Sequence, residues 1–266
     1  MNVQNDELQN DKFIKNITQS NKTQNSKSEI WDKKAKNYTK FSGNLTTFQK
    51  NFLKILDNFN VNFKDKTLID IGCGTGIYSL YLAGICKFVL GVDSSVKMLE
   101  ELNFKKDEFK IKNLKTLNLN FSNLKVDDKF DIAFLTMSPA LQSKNDFKKF
   151  MSLGNLRVYL NWEVPKNSSM LEVFYKIYKK SNNHKNVASN LQNFLEKNGI
   201  SYKTEILNET RIANRSLNEA LENVIWHLEI NELNYDENLI KNELIKMQEN
   251  GLVKDIIKSK MRVLVF

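Results

Sequence analysis

The chain has 266 residues, with 40 Lys+Arg against 31 Asp+Glu, a formal net charge of +9 and 41% hydrophobic residues. That apolar share supports a sizeable core and excludes a disordered protein, while two cysteines, Cys73 and Cys86, exclude a disulfide framework and an all-cysteine metal cage. No apolar run reaches membrane-spanning length, and Met1–Asn10 lacks the apolar core of a secretory signal, so a cytoplasmic protein with no membrane partner is expected.

Residues 1–28, rich in Asn, Gln, Lys and Ser, read as a polar N-terminal arm. Ser28 can cap a helix on which Trp31, Ala35 and Tyr38 recur at helical spacing, and Thr46–Phe59 predicts a second helix with a broad apolar face. An alternation of strands and helices follows. Predicted strands are Thr67–Ile71, Phe88–Val92, Phe109–Leu117, Phe130–Leu135 and Leu156–Leu160; predicted helices between them are Ile77–Ala83, Ser95–Leu102 and Asp146–Leu153. Continuous apolar strands interleaved with helices imply a parallel sheet covered on both faces, an α/β fold. Beyond Ser168 the periodicity predicts helices over Met170–Lys180, Val187–Lys197, Leu217–Glu229 and Asn238–Asn250, with closing strands at Tyr202–Leu207 and Met261–Phe266. No repeat and no Pro/Gly-rich linker interrupts the chain, so residues 29–266 are expected to form one domain with helical elaborations within about 163–260.

The segment that carries most chemistry is Leu68-Ile69-Asp70-Ile71-Gly72-Cys73-Gly74-Thr75-Gly76, at the junction of the first strand and its helix. Glycines there let the backbone turn sharply and approach a ligand, and the helix start offers free N–H groups. Its spacing is Asp-x-Gly-x-Gly-x-Gly, which differs from the Gly-x-Gly-x-x-Gly of dinucleotide sites. Asp70 puts a negative charge at the mouth of the loop and so suits a cationic ligand better than a pyrophosphate. Asp93 ends the next strand, where a carboxylate can accept both hydroxyls of a ribose. A nucleoside with a positive side group, S-adenosylmethionine, satisfies both.

On Leu68–Gly76, on Gly91-Val92-Asp93-Ser94-Ser95-Val96-Lys97-Met98-Leu99 and on Phe130–Leu135, the chain resembles the class I S-adenosylmethionine-dependent methyltransferases over about Ile30–Trp162. The resemblance implies a Rossmann-like three-layer sandwich around a seven-stranded, mostly parallel sheet closed by an antiparallel C-terminal strand, with Met261–Phe266 as that strand. It implies S-adenosyl-L-methionine as cofactor and S-adenosyl-L-homocysteine as product. Gly72, Gly74 and Gly76, with Cys73 and Thr75 between them, would form the cofactor loop; Asp70 would lie near the methionine amino group and Asp93 on the ribose. Ser94 and Met98 would flank the adenosine, and Tyr38 would belong to the helix that lids the methionine end. Asn120-Phe121 aligns with the position where many members carry an acid facing the adenine amine; the Asn carbonyl can still accept and the Phe can pack on the ring, although a loop Asn and a core Phe are equally compatible. Thr136 and Met137 would line the cofactor at the end of the fourth strand. Cys73 reads as a packed loop residue and not as a nucleophile.

The methyl acceptor is less legible. Relatives that methylate amino groups of bases or glutamine resemble Asn/Asp-Pro-Pro-Tyr/Phe after the fourth strand, whereas Ser138-Pro139-Ala140-Leu141 lacks both the amide and the aromatic. In-line displacement at an activated sulfonium can rely on alignment and desolvation, so no catalytic residue is assigned, with Glu163 and His227 as candidate bases and His184 in a polar connector. No metal site is expected from these histidines and cysteines. Of the 40 basic residues only Arg157, Arg211, Arg215 and Arg262 are arginine, the side chain that forks onto phosphate, so nucleic acid is not the favoured partner. The reading is a methyltransferase of a small-molecule acceptor; an RNA or protein methyltransferase and a non-catalytic cofactor-binding protein are the alternatives.

Overall fold

The computed structural model describes residues 26–180 and 186–266. Most of the arm predicted over 1–28, and His184, lie outside the described residues. In chain order the elements are α1 (Ser26–Ala35), α2 (Thr47–Asn58), β1 (Thr67–Ile71), α3 (Ile77–Ala83), β2 (Phe88–Asp93), α4 (Val96–Glu108) and β3 (Leu114–Asn118). A 3-10 turn (Phe121–Asn123), β4 (Phe130–Thr136), α5 (Lys144–Leu153), β5 (Gly154–Trp162), β6 (Asn167–Ser168), α6 (Ser169–Ile177) and α7 (Val187–Lys197) follow. The chain ends with β7 (Lys203–Arg215), α8 (Leu217–Ile230), α9 (Glu237–Lys246), β8 (Gln248–Glu249) and β9 (Leu252–Val265).

Two compact units result: Met1–Asn161 with Val187–Glu205 and Arg262–Phe266, and Trp162–Asn186 with Ile206–Met261. The first is built on parallel strands. β1 pairs with β2 (Thr67 beside Phe88 to Ile71 beside Val92) and with β4, β2 pairs with β3, and β4 pairs with β5, giving the order β3-β2-β1-β4-β5. The order reverses at β1, and in open sheets of this type ligands bind beyond the carboxyl ends of the strands at that reversal. Arg157 and Phe266 exchange both backbone hydrogen bonds (2.9 and 3.1 Å), so the C-terminal end of the chain closes the sheet antiparallel to β5.

Side-chain alternation explains the two covered faces. Ile69, Ile71, Ala133, Leu135 and Tyr159 share a core with Phe147 and Phe150 of α5 and Leu191 and Leu195 of α7. On the opposite face Phe134 stacks at 5.6 Å from Tyr78 of α3 and at 6.0 Å from Phe52 of α2. α2 starts at a reciprocal cap in which Thr46 accepts from Gln49 N–H and the Gln49 side chain accepts from Thr46 N–H.

The second unit has its own core. Met170, Leu171 and Phe174 of α6 meet Ala220, Val224 and Leu228 of α8, Ile240 and Leu244 of α9, and Val253 of β9. β6 pairs antiparallel with β9 (Asn167 beside Lys258), and β8 turns into β9 through Asn250 and Gly251, both at positive φ (53° and 77°). Such an Asn-Gly pair is the preferred two-residue hairpin turn.

Several boundaries differ from the sequence expectation, among them a seventh strand that runs on to Arg215 instead of ending at Leu207, and three have identifiable reasons. The third strand begins at Leu114 and not at Phe109, because α4 runs on to Glu108 and closes with Lys110 in the left-handed region (φ 55°). The last predicted helix stops at Lys246, where the Asn250-Gly251 hairpin takes over. The closing strand starts at Leu252, nine residues before Met261: along it buried residues alternate with exposed ones, and a buried Asp255 hides that period.

The β4–β5 contact leaves no room at Gly154, where an added Cβ would lie 2.5 Å from Ala133 N. Gly154→Ala is therefore expected to destabilise the protein by about 1–3 kcal/mol, since the clash is with backbone. A lower urea midpoint at unchanged slope is the expected readout.

Candidate functional site

The loop between β1 and α3 has Gly72, Gly74 and Gly76 at φ 67°, 55° and 78°. These left-handed conformations are open to glycine and costly for other residues. Gly72 N–H and Cys73 N–H both donate to Val92 O (2.8 and 3.2 Å), pinning the loop to the end of β2. A Cβ on Gly72 would fall 2.1 Å from Ser138 Oγ, so the segment after β4 packs directly on the loop backbone. At Gly74 an added Cβ would meet only Tyr38 Cε1, at 4.0 Å.

Asp93 holds this arrangement from the end of β2. One carboxylate oxygen accepts from Gly74 N–H and the other from Ser95 N–H, both at 2.8 Å. A carboxylate offers about four lone-pair sites, so these two N–H groups do not exhaust its capacity as an acceptor. Burial raises the Asp93 pKa; the N–H groups of Ser95, Gly74 and Ser94 oppose that, and the Asp32 charge adds to it. Asn118 supports the strand end by donating to Asp93 O (3.1 Å) and Ser94 O (3.0 Å).

Asp70 lies near the end of β1 and is 2% exposed. Ser79 Oγ, in the first turn of α3, donates to its Oδ2 at 2.5 Å, while Oδ1 is buried with no hydrogen-bond partner. Burial pushes its carboxyl up to about 7; the Ser79 hydroxyl pulls it down and the Asp93 charge adds to the rise. Burial, with Asp93 and Asp70 nearby, also holds the Cys73 thiol well above its ordinary range, so it stays protonated and is a poor nucleophile.

The segment after α1 is tied onto the loop. Thr75 Oγ1 donates to Thr39 O at 2.6 Å, and Tyr38 meets Trp31 edge-on at 6.3 Å. Asp32 of α1 accepts from Ser95 Oγ (2.5 Å) and Lys97 N–H (3.0 Å), placing a carboxylate on the N-terminus of α4. Ser95 in turn accepts from Met98 N–H (3.1 Å), and Met98 is buried.

Thus Tyr38, Asp70, Gly72, Cys73, Gly74, Thr75, Gly76, Asp93, Ser94 and Met98 cluster around the ends of β1 and β2. Thr136 ends β4, and Met137 follows it with φ 50°, its N–H donating to Leu160 O at 2.7 Å. A non-glycine residue there is strained. Ser138 O accepts from Asn161 Nδ2 at 2.9 Å, which fixes the turn. Asn120 spends its carbonyl oxygen on Ser122 N–H and Oγ (both 2.9 Å), and Phe121 lies in the core, 7% exposed. Glu163 and His227 belong to the second unit, where Tyr175 Oη meets His227 Nδ1 at 3.4 Å. Among the described residues no group of three His, Cys, Asp or Glu could hold a metal ion, and no helix is long and apolar enough to cross a membrane.

Sequence reasoning missed Asp32, Ser79, Asn118 and Asn161. Ser79 alone carried a signal: a small hydroxyl amid the apolar run Ile77–Ala83 needs a buried acceptor.

The sheet reversal thus carries one carboxylate on each of two adjacent strands, beside the glycine loop. Residues 68–153 match the family model described as a methyltransferase domain. The fold is shared with the YcgJ protein of Bacillus subtilis (TM-score 0.51, 13% identity, 81% of this chain and 98% of that one). It is shared as well with a candidate methyltransferase of Bacillus halodurans (TM-score 0.51, 14% identity, 80% and 96%). No curated protein matches the sequence.

The raised Asp70 pKa has a measurable consequence. Between its ordinary value of 3.8 and about 7 the folded chain keeps a proton that the unfolded chain has released. Stability is therefore lost as pH rises across that window, by up to about 4 kcal/mol for this group, and its contribution is flat below and above it. Denaturation as a function of pH should show this fall in the wild type and a flatter profile in Asp70→Asn.

Proposed function

We propose that the site binds S-adenosyl-L-methionine at the β1–α3 loop and transfers its methyl group to a small-molecule acceptor. The observation that carries this reading is the pair of carboxylates with capacity to spare: Asp93, whose bonds to backbone N–H groups do not exhaust its lone pairs, and Asp70, with a buried oxygen lacking a partner. The first suits the two ribose hydroxyls. The second suits the ammonium of the methionine end, whose positive charge would draw the Asp70 proton off and restore the carboxylate. Gly74, open toward Tyr38, admits the ligand against the backbone, with Gly72, Cys73, Thr75 and Gly76 shaping the loop. Ser94 and Met98 flank the adenosine, and Thr136 and Met137 face the methionine end.

When bound, the cofactor supplies a methyl group already activated on a positively charged sulfur. The chain's own residues then need only align and desolvate: Asp93 fixes the ribose, Asp70 anchors the amino end, and the turn held by Asn161 and Ser138 keeps the end of β4 in place. No base is assigned. Residues 29–266 form one methyltransferase domain in this reading, with the second unit as its elaboration. The absence of an amide and an aromatic at Ser138–Leu141 argues against amino groups of bases or glutamine as acceptors.

Incubating the protein with methyl-labelled cofactor and a cell extract separated into small-molecule, RNA and protein fractions tests both parts. Label is expected in the small-molecule fraction and should be lost with Gly74→Val, which puts a branched side chain at φ 55°. Label in RNA or protein would overturn the acceptor, and no label in any fraction would overturn catalysis.

A further inference from the structure

Only four of the chain's 40 basic residues are arginine, and two of them, Arg211 and Arg215, lie four apart on β7. In an extended strand that spacing puts both on one face. In so lysine-rich a chain, arginine at two positions of one face selects for the planar fork that grips carboxylate or phosphate.

Arg215 is anchored. Its Nη1 donates to Asp255 Oδ2 at 3.0 Å, and Asp255, 1% exposed, uses its other oxygen for Ser168 Oγ (2.7 Å), Ser169 Oγ (3.4 Å) and Met170 N–H (3.2 Å). Arg211 stands two pleats earlier. Lys166, just before β6, is only partly exposed, and both arginines bear on it electrostatically. The other charges facing it are Asp255 and Glu209. Asp255 and Arg215 neutralise each other, so Lys166 and Arg211 share one further carboxylate, Glu209. Among the described residues neither the Lys166 ammonium nor the Arg211 guanidinium makes a hydrogen bond or an ion pair.

Holding the half-buried Lys166 beside two guanidinium groups, only one of them neutralised by Asp255, leaves an excess of positive charge that an anion would relieve. Burial, then Arg211, lowers the Lys166 pKa to about 8. We propose that Lys166, Arg211 and the anchored Arg215 form an oxyanion-binding site in the second unit, taking the carboxylate or phosphate group of a small molecule. Arg211 offers the free fork, Lys166 a point charge, and the Arg215–Asp255 pair fixes the third cation. The site stands apart from the cofactor reading and does not depend on it.

Calorimetric titration of the full chain with inorganic phosphate, and separately with succinate, tests the site and tells the two headgroups apart. At least one anion should bind, and its affinity should fall about tenfold in Arg211→Gln and in Lys166→Met, the order expected when a charge-assisted contact is removed. In the wild type, affinity should also drop as pH rises through about 8, where Lys166 loses its charge; Lys166→Met should lack that drop. Thermal melts of the variants check folding. Failure of both anions to bind, or equal binding by the wild type and both variants, would overturn the proposal and leave the methyl-transfer reading untouched.

Discussion

The cofactor end of the molecule depends on one carboxylate. Asp93 accepts Gly74 N–H and Ser95 N–H at 2.8 Å each, and so joins the glycine loop that follows β1 to the helix that follows β2. Those N–H groups lie at turns with no sheet or helix partner to take them, and a buried acceptor is what satisfies them. Around that joint the rest assembles: Val92 O holds Gly72 and Cys73, Thr39 O holds Thr75, and Asp32 holds Ser95. The carboxylate is thus a structural tie with lone pairs to spare.

Asp70 plays a different part. One of its oxygens is spent on Ser79 and the other faces no donor, at a cost to the free protein that a cationic ligand would relieve. The two acids together explain why the loop carries Asp-x-Gly-x-Gly-x-Gly: the aspartates supply charge, and the glycines supply the left-handed turns that bring backbone close to it. Ser138 against Gly72 adds a limit from the β4 side, since any larger residue at position 72 would collide with it.

Much of the first unit was legible in the sequence, because its strands are short apolar runs bounded by turn residues, as at Thr67–Ile71 and Phe88–Asp93. The glycine loop and Asp93 were legible for the same reason: their spacing reflects backbone geometry. The docking of α1 was not. Asp32 reaches Ser95 across 63 residues, and nothing local marks it. Most of β9 is not legible, because it alternates lysines with buried residues that include Asp255 and Ser259, and the apolar period is broken. Asn120 shows the limit of alignment. The sequence admits it as an acceptor for an adenine amine, while the structure has its carbonyl oxygen bonded within its own turn.

The central claim is that Asp93 both ties the loop and receives the ribose. Calorimetric titration of S-adenosyl-L-homocysteine into the wild type and into Asp93→Ala tests it most directly, with circular dichroism to check the fold. The account predicts saturable binding by the wild type and a loss of at least about a hundredfold in the variant, as expected for removing an ionised acceptor shared by two hydroxyls. Near-equal affinity in a folded variant would contradict it.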